Sequence, residues 1–345
     1  MRYSPAVTQR GDPLVGKEAE EQPRFAFTVF TATYNRAHTL PRLYETLRAQ
    51  TFRDFEWLIV DDGSTDATAE TVASWVRDGV IAVRYVQQPH GHKKAAFNRG
   101  VALARGELFL SLDSDDTCVP HALERFWFHW CNIPADQRGR FSAVTCLCQD
   151  EAGRIVGDRF PEDIVDSNSL EMRHRFKVRG EKWGFHRTEV LRRFPFPQDV
   201  AGYVPEDVVW MPIARQFKTR FVNEALRIYH QGGPADRVGR VAAQIDWRVM
   251  APGHVLWMHS ILSVEWPYWR YNPRRFVWAA ATLTRFCLHG GRPPKGWWGR
   301  LSGGARRLVL ATAPAGALLW ARDHLARLKR KLQSRRASRS GSIEE

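Results

Sequence analysis

Between Ser111 and Asp116 the chain reads Ser-Leu-Asp-Ser-Asp-Asp, directly after the apolar stretch that starts at Leu108. A strand ending in Asp113, Asp115 and Asp116 presents hard carboxylate oxygens, which suit Mg2+ or Mn2+. A metal held there would attract a diphosphate. The same residues also suit a plain turn, because Asp and Ser bond nearby backbone groups and Asp116 can cap a helix beginning near Pro120.

The flanking pattern tells where such a cluster would sit. Phe25 to Ala32 is apolar and rich in Phe, Val and Thr, as a buried strand requires, and it runs into the polar turn Thr33-Tyr34-Asn35-Arg36. Leu40, Leu43 and Leu47 follow at helical spacing behind Thr39 and Pro41, a cap and a first-turn proline. Phe55 to Val60 reads as a second strand closed by Asp61-Asp62-Gly63-Ser64, and Thr65 or Asp66 can cap the next helix. Ile81 to Val86 gives a third strand, Lys94 to Ala104 a third helix, and Glu107 to Leu112 a fourth strand. This alternation predicts an α/β layer with a mostly parallel sheet, whose ligands bind beyond the carboxyl ends of strands. Three such ends carry polar or acidic turns, and one nucleotide site explains all three.

Beyond Asp116 the pattern loosens. A helix over Ala122 to Trp130, a strand over Phe141 to Leu147, and a helix opened by Pro205-Glu206-Asp207 are expected, with strand-like Phe221-Val222 and Ala225 to Tyr229 leading to His230. From about Ala235 tryptophan is interleaved with Arg and Lys and no βα alternation is visible. That composition suits either an interfacial segment, with indole at headgroup level, or a helical appendage whose tryptophans fill a core. The stretch Arg327 to Arg339 holds seven basic residues and no acid, as a solvated tail or a polybasic anchor would. The expected organisation is a flexible tail over 1–24, an α/β domain over 25–235, a helical Trp/Arg-rich membrane-associating or acceptor region over 236–326, and a basic tail over 327–345.

At 345 residues, with 44% hydrophobic and 26% charged residues, the chain can bury a sizeable core. A formal charge of +14 implies phosphate-bearing partners, whether nucleotide, anionic lipid or nucleic acid. Five cysteines without a CxxC pair argue against disulfides and zinc, so a reduced, cytoplasmic setting is expected. Met1 to Arg24 lacks the apolar core of a signal peptide, and the longest apolar stretch, Leu308 to Ala321, is short of the ~20 residues a spanning helix needs. Peripheral contact with the inner face of the plasma membrane is the expectation, without a transmembrane helix.

Thr31-Ala-Thr-Tyr-Asn-Arg36, Val60-Asp-Asp-Gly-Ser-Thr-Asp66, Leu112-Asp-Ser-Asp-Asp116 and Pro205-Glu-Asp207, in that order, resemble the family 2 glycosyltransferases of the GT-A fold. The resemblance covers roughly Phe25 to Gly233, and Leu40 to Tyr44 and Lys182 to Phe185 are similar to bacterial members that build surface polysaccharides. It implies a Rossmann-like sheet flanked by helices, with a mainly helical C-terminal extension.

The resemblance also implies roles. Thr33, Tyr34, Arg36, Asp61 and Asp62 match positions that hold the nucleobase and ribose, with Lys93 and Asn98 near the nucleotide. Asp113 and Asp115 match the DxD motif for ribose and metal, with His230 as a third metal ligand in some members. Asp207, or Glu206 beside it, matches the general base of an inverting displacement, and Trp183 lies in a segment similar to the acceptor side of the cleft, where it is either a sugar platform or core. The implied partners are a nucleotide diphosphate sugar, by family habit a UDP-sugar, and a saccharide or lipid-linked saccharide acceptor, with Mg2+ or Mn2+ as cofactor. The Gln-x-x-Arg-Trp signature of processive synthases is absent, which points to transfer of one sugar per event.

Two other classes compete. A basic nucleic-acid-binding protein would account for the charge but would set carboxylates where phosphate must come. A metal-dependent phosphatase or nucleotidyltransferase fits a similar sheet, though no Gly-rich phosphate loop follows the first strand.

Overall fold

The computed structural model describes residues 24–200, 202–230 and 247–340. Most of the expected N-terminal tail, the Gly232-Gly233 pair and the boundary near 235 lie outside them. In chain order the elements are β1 (Phe25–Thr33), α1 (Leu40–Arg48), β2 (Phe55–Asp61), α2 (Thr68–Asp78), β3 (Ala82–Gln87), α3 (His92–Leu103) and β4 (Gly106–Ser111). Then follow β5 (Thr117–Cys118), α4 (Ala122–Cys131), β6 (Phe141–Gln149), β7 (Ile164–Ser167), α5 (Ser169–His174), β8 (Lys182–Arg187), α6 (Thr188–Arg193), α7 (Asp207–Gln216) and β9 (Lys218–Ile228). Helices α8 (Trp247–Ser263), α9 (Pro273–Leu288), α10 (Trp297–Arg300) and α11 (Gly303–Ser340) complete it, and α11 runs through the basic stretch expected to be a tail.

The nine strands form one sheet in the order β3-β2-β1-β4-β8-β6-β9-β5, with β7 paired to β9. Only its first half matches the mostly parallel expectation: β3, β2, β1 and β4 are mutually parallel, whereas β8 joins β4 antiparallel and starts a mixed half. The reason is connectivity. Parallel neighbours need a helical crossover, which α1, α2 and α3 supply in the first half, while in the second half α4 to α7 alternate with the helix-free connections after β4 and β6 and the strands return in either direction.

Strand β2 is buried along its whole length, as a strand covered by helices on both faces must be. Its one acid before the closing turn, Glu56, is fully buried yet satisfied by Arg84 at 2.7 Å, Thr28 Oγ1 at 2.8 Å and the Arg105 amide at 2.8 Å. Helix α3 lies close on the sheet because position 100 is glycine, where a Cβ would overlap the Phe30 ring. Phe30, Phe97 and Phe109 fill that layer, with Phe30 and Phe109 stacked 5.1 Å apart. The expected side-chain caps do not form at Thr39, and Ala67 rather than Thr65 or Asp66 precedes α2, although Asp66 accepts the Thr68 amide at 3.1 Å.

The C-terminal helices have their own core of Val255, Met258, Ile261, Phe276, Leu283 and Phe286. Trp247, Trp257, Trp266, Trp269, Trp297 and Trp298 pack against it, so most of the tryptophans serve that core, and Trp278 stays 46% exposed. Among the described residues no helix is long and apolar enough to cross a membrane.

Candidate active site

The ends of β1, β2 and β4 converge, and hydrogen bonds between their turns fix them. Asn35, in the left-handed region at φ 53°, receives the Thr65 amide on its side-chain oxygen at 2.8 Å while its own amide donates to Ser64 Oγ at 2.8 Å. Asp61 accepts from the Ser64 amide at 2.8 Å and hydroxyl at 2.6 Å and from the Tyr85 hydroxyl, and with burial this pushes the tyrosine above its ordinary value. Asp62 accepts from Gln88 Nε2 at 2.7 Å and the amides of Gly91 at 2.8 Å and His92 at 2.9 Å, which ties β2 to the start of α3. Both carboxylates therefore shape the walls through bonds they already make.

That tie sets Lys93 one residue into α3, where its ammonium lies 3.0 Å from Asp113 and 3.5 Å from Glu206. Asp113, acting against burial and helped by Glu206, raises the Lys93 pKa above its ordinary value. Asp113 also lies 3.3 Å from Arg227 of β9, which is paired with Asp116 as well. Burial alone would raise the Asp113 carboxyl, but Lys93 and Arg227 outweigh it and hold it below the ordinary value. Asp116, with 2% of its surface exposed, also accepts the His230 amide at 3.0 Å, so it buttresses the turn and does not cap α4. The Asp115 carbonyl accepts from Arg42 at 2.5 Å, which orients the acidic turn from α1.

Lys93, Asp113 and Arg227 line a cavity of about 1070 Å³ together with His186, Tyr203, Glu206 and Asp207. His186 is stacked on Trp210 at 4.8 Å, and burial pushes it down to about 4, so it stays neutral. In the turn after β1, Tyr34 is 47% exposed and leans on His90 at 4.8 Å, which leaves a ring face open. Thr33 Oγ1 is buried with no hydrogen-bond partner among the described residues. Such an orphan donor at a strand end suits a ligand that bonds it. Arg36 is half-buried at the head of the turn, its amide on Thr68 Oγ1 at 3.3 Å.

Among the described residues no group of three or more His, Cys, Asp or Glu side chains forms a metal cage. Asp113 and Asp115 still offer the hard oxygens that suit Mg2+ or Mn2+, ions usually bound by one or two carboxylates together with substrate phosphates. His230 does not join them: its two ring nitrogens are engaged by Thr117 Oγ1 at 2.9 Å and Glu151 at 2.5 Å.

Residues 28–138 match the family model described as glycosyl transferase family 2. This segment belongs to glycosyl transferase family 2. The chain is 25% identical over 210 residues to the GalNAc(5)-diNAcBac-PP-undecaprenol beta-1,3-glucosyltransferase of Campylobacter jejuni, covering 59% of this chain and 63% of that one. Among solved structures it superposes on S. aureus TarS 1-349 in complex with UDP-GlcNAc with a TM-score of 0.58 at 16% identity, covering 86% and 92% of the two chains. A mannosyltransferase from Pyrobaculum calidifontis in complex with GDP-Man and Mn2+ gives 0.50 at 19% identity, with 88% of each chain covered. These likenesses give the fold, which is GT-A. The chain spans less than two thirds of the length of the first curated relatives it matches.

At this site, four expectations from sequence need revision. Asn98 is committed elsewhere: its amide exchanges two hydrogen bonds with the Phe196 backbone, at 2.8 and 2.9 Å, and so anchors α3. Trp183 is 3% exposed, donates to the Ser111 carbonyl at 2.7 Å and packs on Phe126, so it supports the cleft floor and offers no open face to a sugar. His230 is spent as described. Asp207 is clamped by Arg173 through two bonds of 2.7 Å and receives the Trp257 indole N–H at 3.1 Å. Burial opposes ionisation of Asp207, yet Arg173 and then Arg275 hold its pKa below the ordinary value, so it is a poor proton acceptor. Sequence reading also passed over Arg227 and Arg173. Each is an arginine within an otherwise apolar or short element, Ala225 to Tyr229 and α5, which is the one signal they gave.

Proposed function

We propose that this protein is an inverting glycosyltransferase that moves one sugar from a nucleotide diphosphate sugar, with UDP favoured, to a saccharide or lipid-linked saccharide. The observation that carries this reading is Lys93, whose ammonium joins Asp113 of the acidic turn to Glu206 across one cleft. A donor diphosphate entering there meets Lys93 and Arg227, and the donor's base meets the open Tyr34 ring and the orphan Thr33 hydroxyl. Glu206 is the general base. Its side chain is 50% exposed to the cleft, whereas Asp207 is saturated by Arg173 and Trp257. Glu206 takes the proton of the acceptor hydroxyl as that oxygen bonds C1, and the C1–O bond to the diphosphate breaks with inversion. Asp113 and Asp115 would hold a divalent cation, which when bound supplies Lewis-acid stabilisation of the leaving diphosphate. The Mn2+ bound with GDP-Man in the Pyrobaculum enzyme and the UDP-GlcNAc bound by TarS support these choices.

An anionic membrane surface is the proposed setting. Leu310, Leu318 and Leu325 of α11 are 63%, 72% and 59% exposed, and Arg307 and Arg322 lie at compatible helical spacing.

Calorimetric titration of UDP and GDP, each with Mn2+ and with EDTA, tests the donor site against the wild type and Asp115→Ala. We expect one nucleotide to bind in a metal-dependent way and to lose that binding in the variant. A folded wild type that binds neither nucleotide would remove the reading.

A further inference from the structure

Behind Asp207 lies a second cavity of about 700 Å³, between the 173–180 segment and the start of α9. It shares Arg173, Val178, Gly180 and Asp207 with the donor cleft, so the two spaces meet at the residue next to the proposed base. Five cations line it, Arg173, Lys177, Arg179, Arg274 and Arg275, and the acid facing them is Asp207. That acid is already consumed by Arg173. Glu265, fully buried behind, takes His174 at 2.8 Å and Arg275 at 3.3 Å. Lys177, Arg179 and Arg274 have no ion-pair partner among the described residues.

Helix α9 adds a second and independent feature. Its 16 residues begin Pro273-Arg274-Arg275, with no acid in the first turn and no side-chain cap from Asn272. Cations at the positive end of a helix dipole are placed against their preference, while Pro273 has no N–H and the Arg275 amide already donates to the Asn272 carbonyl at 3.1 Å. An anion in this cavity relieves that clash of positive charge, as phosphate does at helix N-termini. Arg275 Nη2 faces Asp207 at 3.7 Å, beyond hydrogen-bond reach, and is buried without a hydrogen-bond partner among the described residues, a donor that the same anion would satisfy.

We propose that this cavity binds a phosphate or diphosphate group carried by the acceptor, which sets the acceptor hydroxyl against Glu206. The inference rests on the glycosyltransferase reading and names its acceptor class. Two carriers share the chemistry: a polyprenyl diphosphate-linked saccharide, and a soluble or polymeric sugar phosphate.

The test uses the full chain saturated with UDP and Mn2+, so that the donor site is closed to the probes. Inorganic pyrophosphate, farnesyl diphosphate and a neutral trisaccharide are titrated into the wild type and Lys177→Glu/Arg274→Glu. Both diphosphates should bind the wild type and the trisaccharide should not. The double variant should lose at least tenfold in affinity for both diphosphates while its UDP affinity is unchanged, which also certifies its folding. Tighter binding of farnesyl diphosphate than of pyrophosphate assigns the lipid carrier, and equal binding assigns the soluble one. Equal diphosphate binding by wild type and double variant, or none by the UDP-saturated wild type, overturns the inference while leaving the donor site standing. Failure of UDP itself to bind would instead strike the glycosyltransferase reading.

Discussion

Two adjacent acids, Glu206 and Asp207, divide the work at the mouth of α7 because their surroundings differ. Asp207 faces Arg173, Arg275 and Trp257, so its charge is fixed and its lone pairs are used. Glu206 faces the cleft, with Trp210 Nε1 at 3.3 Å and Lys93 as its company. Glu206→Gln should therefore lower kcat by roughly 10²–10⁴ with an unchanged melting temperature and unchanged donor affinity. Asp207→Asn should cost about 1.5–3 kcal/mol of stability, because Arg173 loses a charged partner. Steady-state rates beside thermal melts separate the two, and a fully active Glu206→Gln next to a dead but stable Asp207→Asn would exchange the roles. The local motifs were readable because Asp61-Asp62 and Asp113 to Asp116 are contiguous. The partners that decide their chemistry were not: Arg173 reaches Asp207 across 34 positions, and Asn98 reaches Phe196 across 98.

Among elements, the crossing of α4 with β9 governs how the sheet responds to acid. Glu224 receives Arg125 at 2.7 and 2.8 Å and His129 at 2.7 Å, and those bonds hold its carboxyl down to about 2. A carboxylate depressed in the folded chain adds stability that is complete above its unfolded value near 4.5 and is lost as pH falls toward 2. Urea unfolding at pH 6 should find Glu224→Gln less stable than wild type, and at pH 2 to 3 the gap should narrow. A gap that stays constant across that range would mean Glu224 is not the linked group. The first four strands were readable as short apolar runs, and the first three helices from apolar spacing together with their end signals. The mixed second half was not, because strand direction there depends on which distant strands pair, as where β8 enters between β4 and β6, and such pairing carries no period.

At the scale of the molecule, the C-terminal helices reach the candidate site. Trp257 of α8 and Arg275 of α9 both reach Asp207, and Gly253 of α8 lets the helix press on the Tyr203 carbonyl just ahead of Glu206. On α11, the exposed Leu310, Leu318 and Leu325, with Arg307 and Arg322 at compatible spacing, form the face proposed to meet a membrane. Vesicles of phosphatidylcholine containing phosphatidylglycerol should pellet the full chain, pure phosphatidylcholine should not, and Leu310→Asp/Leu318→Asp should weaken the binding. Each basic residue at such a surface contributes about 1 kcal/mol, so high salt should release much of the protein. Identical pelleting with both vesicle types, or with neither, would refute a charge-guided contact.

By itself the sequence determined the α/β order, the acidic strand ends and the basic, tryptophan-rich C-terminal third, all of them properties of composition and short-range spacing. Tertiary structure alone decided which acid is free, that Trp183, Asn98 and His230 are occupied, and that Lys177, Arg274 and Arg275 meet beside Asp207. Those are matters of which groups satisfy one another once distant segments pack. A side chain's chemistry follows from its partners, and partners far apart in the chain leave no mark in its spacing.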